Sequence, residues 1–205
     1  SDGYDLDPAT LSPTVAPFNN YSLSALAATP LTSAIDLSIS GKFSAERSSS
    51  QADLVFGSDT VLFDDRGALD EFNVSGKIGY AVSSVLRLQG SFYATRYATE
   101  STLTSPTDTA FANYYRSIFD QGLTKGEVVA EWSPNEEHYL TVGGGVAAES
   151  VEAELIAGGV RTATNAHLLA QHQWQPNAEF GLVAGLRFDS HSDYAAHLSP
   201  RLSLL

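Results

Sequence analysis

The sequence predicts an all-β fold: an antiparallel, up-and-down transmembrane β-barrel, present in part as about nine strands of a larger structure. Three observations predict it. Apolar and polar residues alternate in short runs, the charges keep to one side of each run, and tight turns alternate with longer polar connections. A barrel in a membrane requires this pattern, because its wall faces lipid outside and water inside while successive side chains point to opposite faces.

The alternation can be followed strand by strand. Ile35, Leu37, Ile39 and Phe43 oppose Asp36, Ser38, Ser40 and Lys42, and Phe72, Val74, Ile78 and Tyr80 oppose Asn73, Ser75 and Lys77. Leu86, Leu88 and Phe92 oppose Arg87, Gln89 and Ser91. Val128, Ala130 and Trp132 oppose Lys125, Glu127 and Glu131, with Val129 as an apolar residue on the charged side. Leu140, Val142 and Val146 form a further apolar row, Phe180 to Phe188 carries another on its even positions, and Leu202 and Leu204 begin a last one. A Lys or Arg facing mid-bilayer costs about 2–4 kcal/mol, so the confinement of charge to one side carries information.

The connections separate this fold from a soluble sandwich, which also needs one apolar and one wet face. Short links fall at Ala28 to Thr32, Ala81 to Ser84, Ser133 to Glu137 and Gln175 to Ala178. Between them lie longer polar stretches, Arg47 to Leu69, Tyr97 to Leu123 and Glu149 to Thr164, and the shorter Ser190 to His197. An up-and-down barrel puts tight turns on one side of the membrane and long loops on the other. The apolar runs are about nine or ten residues long, close to the roughly 9–11 that a tilted strand needs to cross the hydrocarbon. Tyr80, Trp132, Tyr139, Trp174 and Phe180 cluster near the short turns, where an aromatic girdle is expected. The alternative is a secreted all-β binding or adhesion module whose apolar faces meet across a sandwich core.

Composition narrows the function classes. With 24 acidic and 11 basic residues and a formal charge of −13, the chain is a poor partner for nucleic acid, whose phosphates call for Lys and Arg. Much of the acidic excess lies in the longer connections, with Asp53, Asp59, Asp64, Asp65 and Asp70 in the first and Glu149, Glu152 and Glu154 in the third. The chain has no cysteine, which removes disulfides and thiolate metal sites. Nothing resembles a nucleophile elbow, and neither Gly143-Gly144-Gly145 nor Gly158-Gly159 sits in a phosphate-loop pattern, so no enzymatic role and no cofactor is expected. With no methionine and no signal peptide, the chain reads as a portion of a longer precursor.

Two segments carry a family resemblance. Asp2-Gly3-Tyr4-Asp5-Leu6-Asp7-Pro8, followed by Pro17-Phe18-Asn19-Asn20-Tyr21, resembles a segment early in the barrel of TonB-dependent outer-membrane receptors. Gly185-Leu186-Arg187-Phe188-Asp189-Ser190-His191-Ser192-Asp193-Tyr194, then His197-Leu198-Ser199-Pro200-Arg201-Leu202, is similar to the more recognisable closing segment of the same receptors. The resemblance implies a plugged barrel of about 22 strands that imports iron-siderophore, haem, cobalamin or glycan into a bacterial cell using energy from the TonB system. Residues 1–205 then form part of the barrel domain, without plug, signal peptide or final strands. The partners it implies are outer-membrane lipid, the plug and remaining strands of the parent chain, TonB through the plug, and a small nutrient ligand.

The candidate sites are two. His191 and His197, beside Asp189, Asp193 and Tyr194, form the richest cluster of ligating side chains, against a purely structural strand-loop-strand segment. Tyr114 and Tyr115, in a stretch with Tyr97, Phe111 and Phe119, offer rings to an apolar or planar ligand, against packing within a folded loop. Elsewhere, His167 and His172 have opposite strand parity, and His138 adjoins a short turn with a solvent-facing place expected. Lys42, Lys77, Arg87, Glu127, Glu131 and Arg187 are expected to line the lumen.

Overall fold

The computed structural model describes residue 3 and residues 16–204. Nine strands follow one another: β1 Phe18–Pro30, β2 Ile35–Phe56, β3 Asp59–Ala81, β4 Leu86–Thr104, β5 Tyr115–Asn135, β6 His138–Ala153, β7 Val160–Asn177, β8 Phe180–His191 and β9 His197–Leu204. They form one sheet in which every strand pairs antiparallel with its sequence neighbours and no strand crosses over. Thr109–Phe111 adds a single 3₁₀ turn between β4 and β5. The first of the two receptor-like segments, Asp2 to Pro8, lies outside the described residues except for Gly3.

The four short turns share one device. In the first, Thr32 Oγ1 accepts from the Ala34 and Ile35 amides at 3.1 and 3.0 Å, and in the second Ser83 Oγ accepts from the Val85 amide at 3.3 Å. Asn135 Oδ1 accepts from Glu137 and His138, and Asn177 Oδ1 from Glu179. A short polar side chain that answers its own backbone two or three residues on makes a tight reversal cheap, which is why Thr, Ser and Asn stand there.

At the opposite end the sequence expectation needs correcting. Arg47 to Leu69 is ladder almost throughout: β2 and β3 pair without interruption from Ile35↔Tyr80 to Phe56↔Asp59. Only Gly57 and Ser58 turn the chain, with Gly57 at φ 66°, a region that glycine enters without a steric penalty. The other three connections likewise shorten to 105–114, 154–159 and 192–196. The strands accordingly run from 8 residues in β9 to 23 in β3 rather than nine or ten throughout. The physical reason is that beyond the apolar zone neither face needs to be greasy, so backbone pairing continues while the alternation stops.

Register fixes the two faces. One lateral row reads Leu37, Ile78, Gly90, Val128, Gly144, Leu168, Phe188, Leu198. Its side chains stand open, with Val128 62%, Leu168 65% and Phe188 42% exposed. The polar rows are the more crowded, half-buried or buried at most positions between Ser38 and Asp189. The sheet is therefore convex on its apolar side and concave on its polar side. Among the described residues the buried hydrophobics are Ala45, Phe63 and Val183 alone. Among the described residues no second layer covers the apolar rows, which a sandwich core would require.

On β3 the apolar face runs from Phe72 to Tyr80, nine residues, matching the roughly 9–11 needed to span hydrocarbon. No charge points outward within that zone. The first outward ions stand at its far edge in two pairs, Arg96 with Asp120 and Arg47 with Asp70. Tyr80, Trp132, Trp174 and Phe180 stand outward at its near edge, and Trp174 meets Phe180 edge-on at 5.9 Å. Tyr139 does not join this girdle: it pairs with Gln173 on the concave face.

Candidate functional site: the concave face and its outer mouth

Across the concave face, register aligns Ser38, Lys77, Ser91, Glu127, Gly145, His167, Asp189 and His197 in a single row. Lys42, Arg87, Glu131 and Arg187 share this face, as the sequence indicates. Two side-chain contacts here reach over an intervening strand. His167 Nε2 lies 3.1 Å from Glu127 Oε2, passing above Gly145. Arg87 Nη2 lies 2.6 Å from Asp36 Oδ1, passing above Gly79. In each case a Cβ on the glycine would fall within 3 Å of the bridging side chain. The missing side chain is what lets polar groups two strands apart touch.

The mouth is organised by aromatic packing. Phe56 and Phe63 lie on the concave parity of the β2–β3 hairpin, and the 105–114 connection folds back over them. Phe111 stacks on Phe56 at 4.8 Å, while Tyr114 lies 5.0 Å from Phe63 and 5.7 Å from Phe111. Phe63 is fully buried. Asp108 starts the 3₁₀ turn by accepting from the Ala110 amide at 2.9 Å, and Ser105 Oγ accepts from Asp108 at 3.1 Å. Deeper in, Tyr97 meets Phe119 in a T-shaped pair at 6.2 Å. Of the four candidate residues, Tyr114 therefore sits at the rim of this cluster, 45% exposed, and Tyr115 opens β5 opposite Leu103.

His191 and His197 lie elsewhere. His191 closes β8 opposite Asn165, accepts from the Asp193 amide at 3.1 Å and packs against Tyr194 at 4.8 Å. His197 opens β9 opposite Asp189. Strands β6 and β7 separate these histidines from the tyrosines, so the four candidates do not form one site. Among the described residues no group of three or more His, Asp or Glu is placed to hold a metal ion.

One pair escapes a reading by spacing. His138 is not simply solvent-facing: its Nδ1 lies 3.0 Å from His172 Nε2, with the rings 10° from parallel. Both belong to the convex face near the short turns, beside Trp174. His167 and His172 do fall on opposite faces.

The fold thus defines a class: a nine-stranded arc of an up-and-down β-barrel with an apolar outer wall and a wet lumen. No family model matches the chain, and no curated protein matches it. Among solved structures it is similar to the siderophore receptor PirA of Pseudomonas aeruginosa, with a TM-score of 0.54 and 17% identity over 90% of this chain and 36% of that one. It is also similar to a variant of the ferric enterobactin receptor PfeA of the same organism, with a TM-score of 0.56 and 16% identity over 98% of this chain and 33% of that one. The chain spans about a third of the length of these receptors. The likeness is one of fold.

Proposed function

We propose that this chain is a stretch of barrel wall from an outer-membrane receptor of Gram-negative bacteria, one that captures a scarce nutrient and imports it with energy relayed by TonB. The observation that carries the reading is the single sheet whose open convex face is free of charge over the Phe72 to Tyr80 zone while its concave face is charged there. Water does not reward such a surface, whereas a bilayer does. Fold likeness to two receptors, one for a siderophore and one for ferric enterobactin, adds to it.

On this reading residues 1–205 belong to the barrel domain, and lipid covers the row from Leu37 to Leu198. The concave row from Lys77 to His197 faces a plug supplied by the rest of the parent chain. Further strands of that chain pair with β1 and β9, each of which pairs with one strand among the described residues. Tyr114, Tyr115, His191 and His197 are the candidate ligand contacts at the mouth, and the role is binding and transport rather than catalysis. The test is uptake by a strain carrying the intact parent gene. Nutrient accumulation above that of a deletion strain, lost when TonB is removed, is the expected result. Recovery of the parent protein in a soluble wash fraction, or uptake indifferent to TonB, would overturn the proposal.

A further inference from the structure

His138 and His172 face away from the lumen, so neither serves the passage of a nutrient. His172 stands on the lateral row of Trp132 and Leu140, and His138 one row nearer the short turns opposite Trp174, which puts both at the level of the outward rings. His172 is exposed and His138 half-buried. Their nitrogens are 3.0 Å apart, closer than ring faces stack, so the near-parallel rings meet edge to edge through one hydrogen bond. Trp174 flanks His138 within 11° of its plane.

A neutral imidazole carries one N–H and one lone pair. Whichever ring donates at the shared edge, the neutral pair therefore ends in one donor and one acceptor, at His138 Nε2 and His172 Nδ1. One added proton turns both ends into donors and leaves a single positive charge. Among the described residues no carboxylate is placed to answer it. The neighbouring strands bring Trp132, Leu140, Trp174, Leu182 and Ala184 to the outward face. Arg87, Glu131 and Arg201 belong to the concave face, Glu136 and Glu137 gather there with Tyr139 and Gln173, and Glu179 sits in the β7–β8 turn.

We infer that the His138–His172 pair is a docking point for the phosphodiester of an anionic phospholipid in the periplasmic leaflet, an assignment that rests on the barrel-wall reading. Short turns mark the periplasmic side of such a barrel, and headgroups lie at the level of its aromatic girdle. An outer N–H of the protonated pair donates to a phosphate oxygen, a hydrogen bond with charge on both partners and so of the stronger kind. Trp174 and Phe180, in edge contact beside the pair, pack the glycerol and the first acyl carbons. Imidazole exchanges its proton between about pH 5 and about pH 8, so acid tightens the grip. The lipid supplies the negative charge that the outer face of the sheet omits.

The experiment titrates the intact parent receptor, in detergent with EDTA present, with short-chain phosphatidylglycerol at about pH 5.5 and about pH 8, and with short-chain phosphatidylcholine and inorganic phosphate as the other arms. Phosphatidylglycerol should bind about tenfold more tightly at the acid pH, a gain that phosphatidylcholine and free phosphate do not share. His138→Gln and His172→Gln should each bring the two pH values within about threefold of one another. His172→Lys, which carries a fixed charge, should bind at the higher pH as tightly as the parent binds at the lower, a result that a merely structural ring would not give. Equal binding by the parent at both pH values, an acid gain that survives both glutamine variants, weak binding by His172→Lys, or free phosphate matching the lipid would overturn the docking point. Recovery of the parent in a soluble wash fraction would sink the barrel wall itself, whereas pH-indifferent lipid binding by a receptor that only detergent extracts would sink the docking point alone.

Discussion

His167 on β7 and Glu127 on β5 meet at 3.1 Å over the bare backbone of Gly145 on β6. A Cβ at Gly145 would come within 2.6 Å of the Gly126 carbonyl oxygen and 2.9 Å of His167 Cε1. Gly126, by contrast, has nothing within 4 Å of the place its Cβ would take. Gly145→Val should therefore cost about 1–3 kcal/mol through overpacking, while Gly126→Val, which adds apolar surface on the convex side, should be neutral or mildly stabilising. Heat-modifiable gel mobility of the two variants measures this. Equal melting shifts would mean that the glycine gap does not hold the pair.

The two faces give a paired test on one strand. Val128 is 62% exposed on the convex side, and Val129 is half-buried on the concave side opposite Gln89 and Gly143. Val128→Arg should cost about 2–4 kcal/mol of membrane insertion and sharply lower the assembled protein in outer-membrane fractions. Val129→Arg should leave the level close to normal, and a matching loss in both variants would contradict the assignment of faces.

The outer aromatic cluster should behave as a small independent core. Phe63→Ala removes a fully buried ring and should destabilise the mouth locally by about 3–5 kcal/mol. Hydrogen exchange should then accelerate in residues 52–63 and 105–114 and stay unchanged in β7 and β8. Acceleration spread evenly over all nine strands would show instead that the cluster supports the whole sheet.

Acid should loosen the same hairpin lower down. Glu71, just beyond the apolar zone, accepts from Lys42 Nζ and Ser44 Oγ, both at 3.0 Å. Those hydrogen bonds, Lys42 first and Ser44 next, with the Lys42 charge after them, hold its carboxyl below the ordinary value of 4.5. A folded-state pKa below the unfolded one means the stabilisation is complete above the unfolded value and disappears as pH falls through the folded one. The melting midpoint should thus hold above the ordinary carboxylate value and drop as pH falls below it through the lower folded value, and drop less in Glu71→Gln, which keeps the side-chain shape without the titration. A variant that falls as far as the parent would remove the pair from any role in acid sensitivity.

The apolar wall was legible because period-two alternation puts residues such as Ile78, Phe92 and Val146 on one face one by one. The outer hairpins were not. Polar on both faces from Arg47 to Gln51, β2 carries no alternation there for a reader to find, although its backbone pairs as regularly as below. Phe63 was hidden for the same reason, a single core residue amid aspartates, and its partners Phe111 and Tyr114 are some fifty residues away in the chain. Pairwise events across strands, His138 with His172 and His167 with Glu127, depend on register, which spacing within one strand does not encode. Tyr139 was misplaced by proximity to a turn, where parity would have put it opposite Trp132 and Leu140.

On the importer reading proposed above, the height of the β2–β3 ribbon decides what meets the cell's surroundings first. From Phe43 to Phe56 it rises thirteen residues above the greasy zone, a path of roughly 40 Å before tilt, ending at Gly57 and Ser58. A phage, an antibody or a fluorophore fixed at Ser58 would sit at the far end of a stiff mast, well clear of the lipid headgroups. Tags inserted between those two residues would report surface display without touching the wall beneath.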